Sequence, residues 1–184
     1  MMKHTKTMLL TALLLIFILL LTACMPTPPV TSEADFGITV EEATQQLREE
    51  AAELSFNAFE TEPEVLDVKP DSGFTYTVTD GVKLALYGTP EGLLNSVYLQ
   101  VNTKECTVAG VELVKEYTSL LVEHFSSEEE LEDVTAALAN VTPMNDMKIS
   151  EAETETAFIT MMTDDSTTYL SIIPIETLYE TEEK

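Results

Sequence analysis

The stretch from Phe74 to Val101 constrains the fold most, because its apolar residues recur at every second position. The residues expected to point inward are Phe74, Tyr76, Val78, Val82, Leu84, Leu86, Val97, Leu99 and Val101. Asp80-Gly81 separates the first two runs and is a preferred pair for a two-residue hairpin turn. Gly88 to Gly92 is a second turn segment. The pattern predicts a three-strand antiparallel meander with one apolar face.

The other face of this meander is polar, and it contains the candidate interaction face. It reads Thr75, Thr77, Thr79, Lys83, Tyr87, Tyr98, Gln100 and Asn102. A sheet with one apolar face packs helices there and leaves its polar face in water. Tyr87 and Tyr98 offer amphipathic contact area beside Lys83 and Gln100. In the alternative interpretation, the two tyrosines only shield the sheet or lie under a later hairpin.

Three other segments carry the three-to-four residue spacing of amphipathic helices. The first begins with a capping box at Thr39 to Glu42 and is expected to reach about Ala58. The second runs from Val108 to Phe125 with a broad apolar face that includes Val108 and Val111. The third is expected to open with a capping box at Ser126 to Glu129. Its inward residues are expected to be Leu131, Val134, Leu138 and Val141.

The remaining strand signals are a short edge strand from Pro63 to Val68 and a C-terminal hairpin. Residues Ala157–Met162 and Thr168–Ile173 form this hairpin around Asp164-Asp165-Ser166. The order of elements predicts an α+β domain. We expect an antiparallel sheet of four or five strands with about three helices packed on one face.

The N-terminus has the layout of a secretory signal peptide. Lys3 and Lys6 precede an apolar run from Met8 to Leu21. This run has about 14 residues, whereas a membrane-spanning helix needs roughly 20. A permanent transmembrane helix is therefore the weaker interpretation.

The residues Leu21-Thr22-Ala23-Cys24 that end this run resemble the lipobox of bacterial lipoproteins. The resemblance implies cleavage before Cys24 and attachment of lipid to its sulfur. The mature chain would then be anchored to the outer face of the cell membrane, or face a periplasm. An ordinary secretory cut after Ala23 and an uncleaved anchor are the alternatives. The expected organisation is signal peptide 1–23, lipidated Cys24 with a flexible Pro/Thr linker 24–38, one domain 39–176 and an acidic tail 177–184.

The mature chain is strongly acidic, which restricts its partners. All 33 acidic residues and seven of the nine basic residues follow the signal segment, so the formal charge after cleavage is 7 − 33 = −26. Nucleic-acid binding requires a cationic surface, so we expect no nucleic-acid partner. Electrostatic docking onto an anionic bilayer is disfavoured for the same reason. Contact with the membrane is therefore expected through the lipidated Cys24.

Signals for catalysis or cofactor binding are sparse. His124 is the single histidine after the signal segment and is expected at a helix C-terminus, where a cation suits the dipole. Six scattered glycines do not form a phosphate-binding loop, so no cofactor is expected. Asp164-Asp165 and the acidic run Glu128–Asp133 lack the spacing of an EF-hand, so no metal is expected. Cys106 is either a small buried apolar residue or a thiol for reaction or intermolecular pairing.

These observations favour a non-enzymatic, lipid-anchored binding or structural module of the bacterial envelope, with an envelope protein or peptide as its partner. One alternative is an envelope hydrolase that uses paired carboxylates. Another is an acidic cation-binding surface protein. Glu112, Glu116 and Glu123 align along the second helix and form either a site for a cationic peptide or a solvated face.

Overall fold

An eight-stranded antiparallel sheet organises the chain in this computed structural model, which describes residues 34–68, 71–144 and 147–175. The signal segment, Cys24 and the predicted tail lie outside these residues. The strand order is β1-β2-β3-β4-β8-β7-β6-β5. The strands are β1 Glu64–Val68, β2 Asp71–Thr79, β3 Val82–Gly88, β4 Leu94–Asn102, β5 Thr142–Met144, β6 Met147–Glu153, β7 Ala157–Thr163 and β8 Thr167–Pro174. The helices are α1 Val40–Glu50, α2 Val108–His124 and α3 Leu131–Ala139.

The prediction of a sheet with four or five strands is wrong, because the described residues form eight. The strands β5 and β6 were missed, and their composition explains why. The inward positions of β6 are the small residues Ser150 and Ala152, which are 4% and 6% exposed. Its other positions are mostly charged. A strand of this kind lacks the alternation of large apolar side chains by which strands are recognised.

The strand β8 joins two meanders into one sheet. Strands β1 to β4 follow one another, and the chain then passes through α2 and α3 before forming β5 to β8. The last strand lies against β4, with Val97 opposite Ile172 and Leu99 opposite Leu170. All four of these side chains are buried. The C-terminal strand therefore occupies the centre of the sheet.

The three helices share one buried core with one face of the sheet. Helix α1 contacts β3, α2 contacts β4 and α3 contacts β6. Leu47, Tyr117 and Leu121 of the helices are fully buried with Leu84 and Ile159 of the sheet. Burial of one such side chain stabilises the fold by about 1.5–3 kcal/mol. We call the opposite side of the sheet the helix-free face.

The first helix is shorter than its sequence pattern indicates. It begins at the predicted capping box, where Thr39 Oγ1 accepts from Glu42 N and Glu42 Oε2 accepts from Thr39 N. It ends at Glu50 rather than near Ala58, and two short 3-10 turns follow, Ala51–Glu53 and Ala58–Glu60. Asn57 starts the second turn, since its side chain accepts from Phe59 N. The helical spacing of apolar residues continues through these turns, so the sequence pattern does not indicate where the helix ends.

Three valines predicted to point inward are exposed instead: Val108 at 87%, Val111 at 46% and Val141 at 53%. At the start of α2 the buried residue is Gly110. A Cβ atom on Gly110 would lie 2.8 Å from Cys106 Sγ and 3.2 Å from Thr79 Cγ2. Helix α2 therefore approaches the sheet at Gly110, and Val108 and Val111 on either side of it point away from the sheet. Val141 lies beyond the end of α3.

Two local predictions also fail. Thr79 was expected on the polar face, but the register of β2 shifts between Thr77 and Thr79. This irregularity places the Thr79 methyl group beside Gly110 on the helix side. The predicted capping box at Ser126 to Glu129 does not form, and no side-chain hydrogen bond caps the start of α3. Both Ser127 N and Ser127 Oγ donate to Glu130 Oε2, at 2.8 and 2.7 Å.

Candidate interaction surface

The four residues of the candidate interaction face lie together on the helix-free face. Lys83 is directly opposite Gln100 across β3 and β4, and Ala85 is opposite Tyr98. The rings of Tyr87 and Tyr98 meet edge to face, with centroids 5.6 Å apart and planes at 85°. Such aromatic pairs contribute about 0.5–1.5 kcal/mol beyond the area they bury. The two tyrosines therefore form one rigid contact element.

Lys83 and Gln100 are held at the edge of this aromatic pair by polar contacts. Lys83 Nζ lies 3.4 Å from Glu64 Oε2, and the two side chains are 50% and 68% exposed. An exposed ion pair of this kind contributes at most about 1 kcal/mol. Gln100 Nε2 donates to the Tyr169 hydroxyl at 3.4 Å. Tyr169 was not among the predicted residues, and it continues the face onto β8.

The second half of the helix-free face is more apolar than the half that was predicted. Tyr169 of β8 lies opposite Met162 of β7, and Met162 lies opposite Ile149 of β6. Phe158 lies opposite Ile173 at the other end of the same two strands. All five side chains are partly exposed. This surface could not be predicted from the sequence, because β7 and β8 carry apolar residues at both their inward and outward positions.

Charge is nearly absent from the middle of the helix-free face. The strands β4, β8 and β7 contribute no charged side chain to it. Its charged residues lie at the margins, with Lys83 and Glu64 on one side and Glu151 and Glu153 on the other. Thr75 is 7% exposed although it lies on this face, between Glu64 of β1 and Ala85 of β3. In a chain with 33 acidic residues, this is a distinct uncharged and aromatic area.

The acidic residues of α2 lie along a different feature, a cleft of about 670 Å³ between the end of α1 and α2. We call it the acidic cleft. Its carboxylates are Glu50, Glu53, Glu116 and Glu123, and its apolar lining is Leu54 and Leu120. Lys115 and His124 also line it. Of the predicted stripe Glu112, Glu116 and Glu123, the first two have partners within the protein. Glu112 pairs with Lys115 at 2.9 Å, and Glu116 accepts from Ser55 Oγ at 2.6 Å.

His124 ends α2 as predicted, and it has a carboxylate partner that the sequence did not reveal. Its Nδ1 lies 2.9 Å from Glu50 Oε2, and its side chain is 10% exposed. The ring also packs edge to face on Phe125, with centroids 4.8 Å apart. The contact joins the C-terminal ends of α1 and α2 at the acidic cleft. No sequence signal predicts it, because the two residues are 74 positions apart.

One carboxylate in each of the acidic clusters considered for calcium, Asp164 and Glu130, accepts hydrogen bonds from backbone N–H groups. Asp164 Oδ1 accepts from Ser166 N at 2.6 Å and Thr167 N at 2.7 Å, and these bonds lower the pKa of Asp164. Glu130 accepts from Ser127 and, at 2.6 Å, from Glu155 N. The bonds from Ser127 lower the pKa of Glu130 most. Within the described ranges, no group of three or more His, Cys, Asp or Glu residues is arranged to hold a metal ion.

Cys106 lies just before α2 and is partly buried. Its Sγ is 3.6 Å from Thr107 O and faces Gly110. This position fits a small packing residue and also leaves part of the residue accessible. The two interpretations of Cys106 therefore both stand.

Comparison with known proteins was made at the level of families, curated proteins and solved structures. No protein-family profile, curated protein or solved structure matches the chain. Among the helices that the structure describes, none has the length and apolar character needed to cross a membrane.

Proposed function

We propose that the chain is a lipid-anchored extracytoplasmic protein of the bacterial envelope that binds a partner protein and is not an enzyme. The resemblance of Leu21-Thr22-Ala23-Cys24 to a lipobox supports the anchor. Two acyl chains hold a protein on a membrane, whereas one gives only marginal and reversible binding. A diacylated Cys24 therefore replaces a transmembrane helix.

The observation that carries the binding role is the uncharged, aromatic middle of the helix-free face. The cores of protein interfaces are depleted in charge and enriched in tyrosine, phenylalanine and methionine. Tyr87, Tyr98, Phe158 and Met162 provide this composition on one continuous surface. Charged residues at the margins match the polar rim of such interfaces. The partner is an envelope protein or peptide with a complementary uncharged surface.

The binding role is tested by replacing both tyrosines. We expect Tyr87→Ala with Tyr98→Ala to leave the fold intact and to abolish crosslinking to a specific envelope protein in cells. Val111→Ala is the matched control, since this exposed apolar residue lies on α2, away from the helix-free face. The crosslinked proteins are identified by mass spectrometry. If the double variant and the control recover the same protein in equal amounts, the helix-free face is not the binding surface.

The anchor is tested independently at Cys24. We expect the native protein to begin at Cys24 and to carry fatty acyl mass on that residue. The Cys24→Ala variant should leave the membrane fraction. An unmodified first cysteine, or a retained signal segment, would contradict the anchor without affecting the test of the binding face.

A second candidate function is the binding of an organic cation or cationic peptide, and the acidic cleft favours it. Its four carboxylates outnumber Lys115 and His124 around an apolar lining of Leu54 and Leu120, which suits a cation with an apolar body. Titration with a lysine-rich peptide, followed by amide shifts at Glu53 and Glu123, tests this function. If binding of the peptide vanishes at physiological salt, the interaction is nonspecific electrostatic attraction and this second function is wrong.

The hydrolase alternative receives less support from the described carboxyl groups. Glycoside hydrolysis needs one carboxyl group whose pKa is raised, so that it acts as an acid. Hydrogen bonds lower the pKa of Glu42, Glu130 and Asp164, so none of these three has the raised pKa that such an acid needs. We therefore propose binding rather than hydrolysis.

A further inference from the structure

A second cleft, of about 520 Å³, lies between α1 and β2. We call it the arginine cleft. Its lining includes Glu41, Thr44, Arg48 and Glu49 from α1, together with Phe74 and Tyr76 from β2. This volume is in the range of small-molecule sites, roughly 300–1,000 Å³. None of these residues belongs to the helix-free face or to the acidic cleft.

Two buried hydroxyl groups line the arginine cleft. Thr44 is 7% exposed and Tyr76 is 2% exposed. Thr44 Oγ1 lies close enough to Tyr76 to oppose the rise in the tyrosine pKa that burial causes. It nevertheless makes no hydrogen bond of good geometry with any described residue. The Thr44 hydroxyl has almost no accessible surface, so it packs against Tyr76 in the wall of the cleft and does not face the space that a ligand would fill.

Arg48 is the single arginine of the chain, and its side chain is fixed in position. Its Nε donates to Phe59 O at 3.0 Å, and Asn57 Nδ2 donates to Arg48 O at 3.0 Å. These bonds leave the terminal nitrogens of the guanidinium for other partners. Among the described carboxylates, none lies within ion-pair distance of Arg48. A fixed guanidinium without a carboxylate is suited to a planar, bidentate anion.

The charges of the arginine cleft are mixed, which restricts its ligand. Glu41 and Glu49 line the same cleft as Arg48, so a simple anion meets two negative charges. Glu49 Oε1 accepts from Gln45 Nε2 at 3.1 Å, and Gln45 also lines the cleft. A ligand with both a carboxylate and an ammonium group satisfies all three charges. Phe74, which is partly exposed, offers apolar contact to the rest of such a ligand.

We propose that the arginine cleft binds a small zwitterion, a free α-amino acid with an apolar side chain. Its carboxylate pairs with Arg48, and its ammonium group faces Glu41 and Glu49. The side chain of the ligand packs against Phe74. This site is independent of the partner-binding face.

The test is a titration of the full chain in detergent, followed by amide chemical shifts. The probes are the common L-amino acids at millimolar concentration, with leucinamide and N-acetyl-leucine as matched compounds that lack one charge each. We expect L-leucine or another apolar amino acid to bind saturably and to shift Thr44 and Arg48. Removal of either charge from the ligand should weaken binding about tenfold or more, because each loses a charge-assisted hydrogen bond.

Variants separate this site from nonspecific binding. Arg48→Gln should weaken binding, and Arg48→Lys should retain part of it. Lys115→Gln is the control, since this exposed cation lies on α2. Thermal unfolding of each variant shows whether the fold survives. The proposal is overturned if no amino acid binds, if the amide and acetyl derivatives bind as well as the parent compound, or if a folded Arg48→Gln variant binds normally.

Discussion

The hydroxyl of Tyr117 ties α2 to the segment that follows α1. It donates to Phe56 O at 3.0 Å and is the acceptor for Ala58 N at 2.7 Å, and the residue is fully buried. Burial raises the pKa of Tyr117, so the hydroxyl stays protonated and keeps its donor role. One oxygen atom thus satisfies a donor and an acceptor of the backbone where the chain leaves helical geometry.

Tyr117→Phe should lower the free energy of unfolding by about 1–3 kcal/mol, because it leaves buried backbone groups without partners. Urea denaturation measures the change. Tyr98→Phe is the matched control, since Tyr98 is partly exposed on the helix-free face. We expect this control to stay within about 0.5 kcal/mol of the parent protein. Equal losses in the two variants would contradict the structural role of the Tyr117 hydroxyl.

Glu130 connects the start of α3 to the turn before β7, and this connection depends on pH. Its carboxylate accepts from Ser127 N, Ser127 Oγ and Glu155 N. These bonds lower the pKa of Glu130 below its ordinary value of 4.5. A group with a lowered folded-state pKa contributes stability above its unfolded-state pKa. That contribution is lost as the pH falls through the folded-state value.

We therefore expect Glu130→Gln to be less stable than the parent protein at neutral pH, with the difference shrinking as the pH falls below about 4.5. Chemical denaturation of both proteins from pH 7 downward measures the difference. Glu129→Gln, at an exposed neighbouring position, controls for the loss of one negative charge. A difference that stays constant across this range would show that the lowered pKa does not contribute.

At the scale of secondary-structure elements, the strands that are apolar on one side only could be predicted from the sequence. Leu84 and Leu86 alternate with Lys83 and Ala85, and β3 forms where this alternation runs. Strand β6 could not be predicted, because its buried positions are small. The apolar half of the helix-free face was missed for the opposite reason, since β7 is apolar on both sides.

The pairing of β2 with β3 depends on a glycine within β2. Gly73 lies opposite Tyr87, and a Cβ atom on Gly73 would overlap Leu86 O. Replacing a strand glycine by alanine normally stabilises a protein, because the unfolded chain loses freedom. Here the backbone of β3 leaves no space for the added methyl group. The close approach therefore outweighs the usual gain.

We expect Gly73→Ala to destabilise the fold by about 1–3 kcal/mol, the usual cost of overpacking. Ser72→Ala, at the exposed neighbouring position, should have little effect. Guanidinium denaturation compares the two variants. A stabilised Gly73→Ala protein would show that β2 and β3 are less closely paired than described.

At the scale of the whole molecule, the candidate sites divide between the two sides of the sheet. The helix-free face carries the uncharged contact surface, and both clefts lie on or between helices. The tyrosines of the face could be proposed from the alternation along β3 and β4. The arginine cleft could not, because Arg48 and Tyr76 come together only when α1 packs on the meander. Thr44 looks like an ordinary helix residue until its burial is known.

The acidity of the chain also acts on the whole molecule. The formal net charge of the chain is −24, and in the described ranges the ion pairs involve only Lys83, Lys115 and His124 as cations. Most carboxylates therefore repel one another without compensation. Repulsion between exposed charges is screened within about 8 Å at physiological salt and extends to about 30 Å at 0.01 M. The folded state should gain stability as salt is added.

We expect the melting temperature to rise with sodium chloride, most steeply below physiological ionic strength. A variant with Glu128, Glu129 and Glu132 replaced by glutamine should melt higher at low salt and respond less to it, because these exposed residues form one acidic cluster. Magnesium chloride at equal ionic strength separates screening from ion binding. A further rise with magnesium would indicate bound cations, and equal curves would indicate screening alone. A melting temperature that does not change with either salt would mean that repulsion between carboxylates does not limit the stability of the fold.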